Sequence, residues 1–163
     1  MRANLIYHFP DDGYYIDYFL NPLPALAVLG MALNDHWLKH AYPSWLTGKI
    51  SDFLGVYYFP LFVCAIVCLI LNFAVRPLTK TKRIAYISRS LMLFAMTLTA
   101  ALMLGIKLSP AIAGQVEETF SAVFFKIHIT PDPTDLLSFL SLPVSYLYAR
   151  RFFDRRPSDR AAE

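Results

Sequence analysis

Three short polar stretches contain the residues whose types could support chemistry. They are Asp35/His36/His40, Lys49/Ser51/Asp52 and Asp132/Thr134/Asp135. Carboxylates beside histidines can bind a divalent cation, and a lysine can hold a phosphate while a carboxylate acts as a general base. Each stretch borders an apolar segment. We therefore expect these side chains at a boundary between water and a low-dielectric region.

These stretches predict one polar site built from carboxylates and a lysine. The candidate catalytic residues are Asp52, Asp135 and Lys49. The candidate substrate-binding residues are Lys49, Ser51 and Thr134. A divalent metal is a possible cofactor, and the sequence leaves its identity open. Its candidate ligands are Asp52, Asp132, Asp135 and His36.

Helix capping is a competing explanation for two of the stretches. Ser51 and Asp52 could cap the helix that follows them, because a carboxylate is favoured at the positive end of a helix dipole. Asp132 and Asp135 could likewise begin a helix that has Pro133 in its first turn. Contact between Lys49, Asp52 and Asp135 would distinguish a shared site from two separate helix starts.

Histidine and cysteine pairs give weaker signals. His36 and His40 have a spacing that zinc sites use, but the residues between them lack the glutamate of a zinc-protease motif. Cys64 and Cys68 lie four residues apart within an apolar segment. We expect these cysteines to pack as small hydrophobic side chains.

Composition indicates a membrane protein. Hydrophobic residues make up 56% of the 163 residues, charged residues 17%, and the mean hydropathy is +0.44. We expect a single all-α membrane domain over residues 1–163, and no nucleic-acid partner, because the basic residues flank apolar segments. No cleavable signal pattern opens the sequence, so we expect the first span to be retained.

Apolar segments predict four transmembrane helices, at about residues 20–38, 53–75, 90–108 and 133–153. Residues 111–130 contain too many charges for a full crossing. Their apolar residues fit helical spacing and, in part, strand alternation; we favour an interfacial or re-entrant helix.

Basic residues predict the orientation of these spans. Five lysines and arginines lie in the 76–89 segment, and five arginines lie between residues 150 and 160. The positive-inside rule places both segments, and both chain termini, in the cytoplasm. Residues 39–52 and 109–134 then lie outside, so the three polar stretches share the extracytoplasmic face.

The Gly48–Phe53 run, together with the later Asp132–Asp135 run, resembles small uncharacterised bacterial multi-pass membrane proteins that have a Gly-Lys-x-Ser-Asp-Phe and an Asp-Pro-Thr-Asp segment. The resemblance implies a bacterial inner-membrane location and carries no established activity.

Two functions follow from the sequence. In the first, the site binds or acts on a lipid or lipid-linked phosphate, with membrane lipids as partners. In the second, the chain is a non-catalytic accessory, sensor or immunity-type protein that binds a protein partner through its outer loops. A transporter ranks last, because the second and third spans have no charged residue at mid-membrane depth.

Overall fold

A computed structural model describes residues 16–75, 78, 86–123 and 129–153. The described residues are helical and include no strand, which confirms the all-α class. The α-helices are α1 (Asp17–Leu20), α2 (Pro22–Leu33), α3 (Lys39–Ala41), α4 (Trp45–Ile70), α5 (Arg89–Leu108), α6 (Pro110–Val123) and α7 (Ser141–Ala149). Two π-helical segments, Asn34–Leu38 and Leu71–Val75, continue α2 and α4, and 3-10 helices, Pro133–Leu140 and Arg150–Phe152, flank α7.

Helix α4 lies at the centre and packs against α2, α5, α7 and the Pro133–Leu140 helix. It begins at Trp45 because Ser44 and Thr47 form a capping box. The Ser44 hydroxyl accepts from the Thr47 N–H at 3.2 Å, and the Thr47 hydroxyl accepts from the Ser44 N–H at 3.0 Å.

This start corrects two predictions from the sequence. The helix begins well before residue 53, so Ser51 and Asp52 lie inside α4 and do not cap it. The predicted surface connection over residues 39–52 shrinks to residues 42–44. The physical reason is that a helix end is set by its cap, whereas the apolar boundary used for the prediction reports only where charged residues stop.

Within the described residues, two helices are long and apolar enough to cross a membrane: Trp45–Ala74, with a hydropathy of 2.5, and Arg89–Leu108, with a hydropathy of 2.0. They correspond to the predicted spans at 53–75 and 90–108. The predicted spans at 20–38 and 133–153 are helical but divided into shorter segments. Asn21 has an extended backbone between α1 and α2, and the last segment changes from 3-10 to α geometry at Ser141.

The connection after α5 is helical over much of its length. Helix α6 covers Pro110–Val123, so the helical alternative holds there, and residues 124–128 lie outside the described part of the chain. Most of the predicted basic segments, at residues 76–77, 79–85 and 154–163, also fall outside it.

The hydrophobic core joins α1, α4, α5 and α7 around the middle of α4. Its buried members are Tyr18, Leu61, Cys64, Ala65, Ile87, Met92, Ala95, Tyr148 and Ala149. The Tyr148 hydroxyl donates to the Tyr18 carbonyl at 2.6 Å. Cys64 and Cys68 are both buried free thiols, as predicted. The first turns of α4, which carry Thr47, Lys49, Ser51 and Asp52, lie outside this core.

Candidate functional site

Lys49, on the second turn of α4, is a buried lysine with three acceptors. Its residue is only 4% exposed. The ammonium group donates to Asp132 Oδ2 at 2.6 Å, to Thr134 Oγ1 at 2.5 Å and to Asp135 Oδ1. An ammonium group has three N–H donors. All three are therefore used by residues of this chain.

Lys107, near the end of α5, extends the same arrangement. Its Nζ atom lies 2.6 Å from Asp135 Oδ2 and 3.2 Å from Asp52 Oδ1. Asp135 thus accepts from a different lysine at each carboxylate oxygen. The Asp135 side chain, which is 8% exposed, therefore has a charged donor at each oxygen.

We call Lys49, Asp52, Lys107, Asp132 and Asp135 the charge cluster. It ties α4 and α5 to the start of the Pro133–Leu140 helix. Lys49 contacts Asp135 directly, and Asp52 is joined to Asp135 through Lys107, so these three predicted residues lie in one cluster. Three carboxylates share two ammonium groups, which leaves one surplus negative charge when all five groups are ionised.

Asp132 caps a helix, as the sequence allowed, and also belongs to the charge cluster. Its Oδ1 atom caps the Pro133–Leu140 helix by accepting from the Thr134 N–H at 2.9 Å. Its other oxygen pairs with Lys49. The hydrogen bond from Lys49, with further ones from Thr134, lowers the pKa of the Asp132 carboxyl to about 2. Capping and membership of the cluster are therefore compatible.

Ser51 belongs to a second polar network, between α4 and the π segment after α2. Its hydroxyl donates to Asp35 Oδ1 at 2.6 Å and accepts from the Asn34 amide at 2.9 Å. The same amide donates to the Thr47 carbonyl at 2.8 Å, and Lys39 pairs with Asp35 at 2.6 Å. The predicted substrate-binding serine therefore contacts Asp35, which lies in the first polar stretch.

Three of the proposed metal ligands, Asp52, Asp132 and Asp135, lie in the charge cluster, and His36 lies apart from it. No group of three or more His, Cys, Asp or Glu side chains able to hold a metal ion occurs within the described residues. His36 and His40 are exposed, and the three carboxylates of the cluster pair with lysines. This arrangement gives the predicted divalent-metal cofactor no support.

An apolar cavity of about 230 Å³ lies between α4 and α5, beside the cluster. Ser51 and Asp52 lie at one end of its lining, which is almost entirely apolar. The rest of its lining comes from Gly55, Val56, Phe59, Thr99, Leu102, Met103 and Ile106. Residues 51–59 extend the cavity for about 12 Å along α4, at ~1.5 Å per residue. Its shape and lining suit an apolar chain with a polar end.

Sequence reasoning missed Lys107 as a member of the site. A lysine at the end of an apolar helix is usually explained by snorkelling toward water. The available signal was the excess of carboxylates over lysines among the predicted site residues. Comparison of the chain with protein-family models, curated proteins and solved structures gives no match.

Proposed function

We propose that this chain is a small bacterial inner-membrane protein that binds a lipid or lipid-linked amphiphile at the extracytoplasmic face. The polar head lies at the Asp52 and Lys107 end of the charge cluster, and an apolar chain enters the cavity between α4 and α5. The observation that carries this proposal is the apolar cavity that ends at Asp52.

Exposed apolar surface supports the membrane setting. The core helix of a soluble protein is mostly buried, but the most hydropathic windows of Trp45–Ala74 and Arg89–Leu108 are only 33% and 17% buried. Helix α2 has no charged residue and leaves Leu23, Leu26, Leu29 and Leu33 exposed. Such a surface is stable when lipid covers it.

Four spans remain the arrangement that we propose. Residues 22–41 and 133–152 are each helical almost throughout, and about 20 helical residues suffice to cross a bilayer. With both termini in the cytoplasm, the charge cluster faces outward. Both helices that line the cavity are among the described helices long and apolar enough to cross a membrane, which supports a position of the cavity at membrane depth.

Ion pairing favours binding over catalysis. Lys49 uses its three donors on the chain's own acceptors, so it holds Asp132, Thr134 and Asp135 in place of a substrate phosphate. A general base needs a free lone pair directed at the substrate. Asp135 accepts from a lysine at both oxygens. We therefore assign the ligand contact to Asp52 and Lys107, with Ser51 beside them.

Filling the cavity tests this function. Leu102 lines the cavity and is 41% exposed; Leu104 is on the same helix, is 40% exposed and does not line the cavity. The full chain is purified in detergent, and native mass spectrometry counts phospholipids retained over a lipid titration. We expect Leu102→Trp to remove the tightest-binding lipid, whereas Leu104→Trp should bind like wild type.

Thermal unfolding of both variants provides the folding control. Equal lipid retention by wild type and a folded Leu102→Trp variant would overturn the proposal, because loosely held surface lipid does not depend on one cavity residue. Equal loss in both tryptophan variants would also contradict it, since a general surface effect would then explain the result.

A further inference from the structure

The head group that fits the cavity can be inferred from the charges around it. This inference rests on the proposed function and names the chemistry of its ligand. We propose that the site selects a lipid whose head carries a primary ammonium group, and that Asp52 accepts hydrogen bonds from that group.

Asp52 is the least satisfied carboxylate of the charge cluster. Lys107 lies 2.6 Å from Asp135 but 3.2 Å and 3.4 Å from the two oxygens of Asp52. Asp132 and Asp135 each pair with a lysine at 2.6 Å or less. Asp52 is therefore the carboxylate of the cluster with the longest ion contacts.

Asp52 is also the carboxylate that borders the cavity. Its side chain is 21% exposed. Asp132 and Asp135 do not line the cavity. A carboxylate at the rim of an apolar space is costly unless a cation approaches it, and an ammonium group supplies both charge and donors.

The nearest other ion pair leaves this preference unchanged. Asp35 and Lys39 pair with each other at the same end of α4, so they add no net charge.

The lipid phosphate has a place in the same arrangement. Lys107 stands next to Asp52, and its contacts with Asp52 are the longest ion contacts of the cluster. A zwitterionic head can put its phosphate near Lys107 and its ammonium near Asp52, replacing one internal ion pair with two external ones. This geometry favours an aminophospholipid over an anionic lipid.

The test compares two lipids with identical acyl chains. Phosphatidylethanolamine carries an ammonium head, and phosphatidylglycerol carries the same phosphate with a hydroxyl head. Native mass spectrometry of the full chain gives an apparent Kd for each. We expect wild type to bind phosphatidylethanolamine roughly tenfold or more tightly, as one charge-assisted hydrogen bond provides.

The Asp52→Asn variant should lose this preference. Glu118→Gln is the matched control, because Glu118 is an exposed carboxylate on α6 that does not line the cavity; it should keep the preference. If Asp52→Asn does not fold, the same question can be tested on wild type with phosphatidylcholine, because its trimethylated head has no N–H donor. Wild type should then bind phosphatidylcholine more weakly than phosphatidylethanolamine.

The outcomes separate this inference from the proposed function. Lipid binding that Leu102→Trp abolishes, with phosphatidylglycerol bound as well as or better than phosphatidylethanolamine, overturns the ammonium assignment and leaves the cavity function intact. Equal binding of the ethanolamine and choline lipids does the same. Binding that is insensitive to Leu102→Trp overturns the cavity function itself.

Discussion

Replacing Lys49 with methionine tests whether the charge cluster stabilises the fold. Methionine keeps the unbranched apolar stem but removes the ammonium group, so the change isolates the charge. Lys49 is 4% exposed and holds Asp132, Thr134 and Asp135. The substitution therefore separates the start of the Pro133–Leu140 helix from α4.

The size of the effect follows from the burial of each partner. Removing one member of a buried ion pair costs roughly 3–5 kcal/mol. Here Asp132 is 44% exposed and regains water, while Asp135 keeps its contact with Lys107. Both factors reduce the penalty. We expect the free energy of unfolding to fall by about 2–3 kcal/mol for Lys49→Met.

The chain contains a matched control for this measurement. Lys39 pairs with Asp35 at 2.6 Å, the same distance as the pair between Lys49 and Asp132, but the Lys39 and Asp35 side chains are 38% and 43% exposed. Lys39→Met should cost about 0.3–0.5 kcal/mol, as exposed pairs one helical turn apart do. Reversible unfolding in mixed detergent micelles, followed by circular dichroism, gives both values.

Equal destabilisation by the two substitutions would refute this reasoning, because distance alone would then decide the strength of an ion pair. A Lys49→Met protein as stable as wild type would mean that the cluster does not hold the helices together. Lipid binding should be measured on the same samples. Lys49→Met leaves Asp52 and Lys107 in place, so the folded variant should still bind lipid.

Three further predictions concern pH, packing and topology. The pKa of the Asp132 carboxyl is lowered to about 2, so its ionised form stabilises the fold above its ordinary pKa of about 3.8. This stabilisation should disappear as the pH falls from 3.8 to 2. In Asp132→Asn, the free energy of unfolding should therefore change less with pH over that range. A Cβ on Gly30 would lie 2.9 Å from the end of the Leu54 side chain, whereas a Cβ on Gly48 meets nothing within 4 Å. Gly48→Ala should therefore raise the free energy of unfolding by about 0.5–1 kcal/mol, and Gly30→Ala should raise it less or lower it. A membrane-impermeant maleimide should label Gly48→Cys in intact spheroplasts. It should label Leu78→Cys only after permeabilisation, although Leu78 is 83% exposed. The reverse pattern would invert the proposed topology.

Much of the helical fold could be predicted from the sequence, because long uncharged segments have few alternatives to helix. The third span was predicted at 90–108 and α5 covers Arg89–Leu108. The start of α4 differs from the prediction, because the Ser44 and Thr47 capping box sets it, whereas the prediction rested on the last charge before the apolar segment. Breaks such as the one at Asn21 depend on packing between helices, which periodicity does not report.

The site was predicted in part for a similar reason. Topology was enough to predict that Lys49 and Asp135 face the same end, and their contact confirms that they are neighbours. It could not assign partners, because which lysine reaches which carboxylate depends on helix rotation. Lys107 was therefore missed, and the cavity that Asp52 borders could not be foreseen from a one-dimensional pattern.

The most direct test of the central claim locates a lipid in the cavity. Crystals of the full chain grown from a lipid phase containing phosphatidylethanolamine with brominated acyl chains would give anomalous bromine peaks. The account predicts a peak between α4 and α5, beside Thr99 and Leu102, with the lipid nitrogen within hydrogen-bond distance of Asp52. Bromine peaks confined to the outer surfaces of the helices, with the cavity closed by side chains, would contradict it.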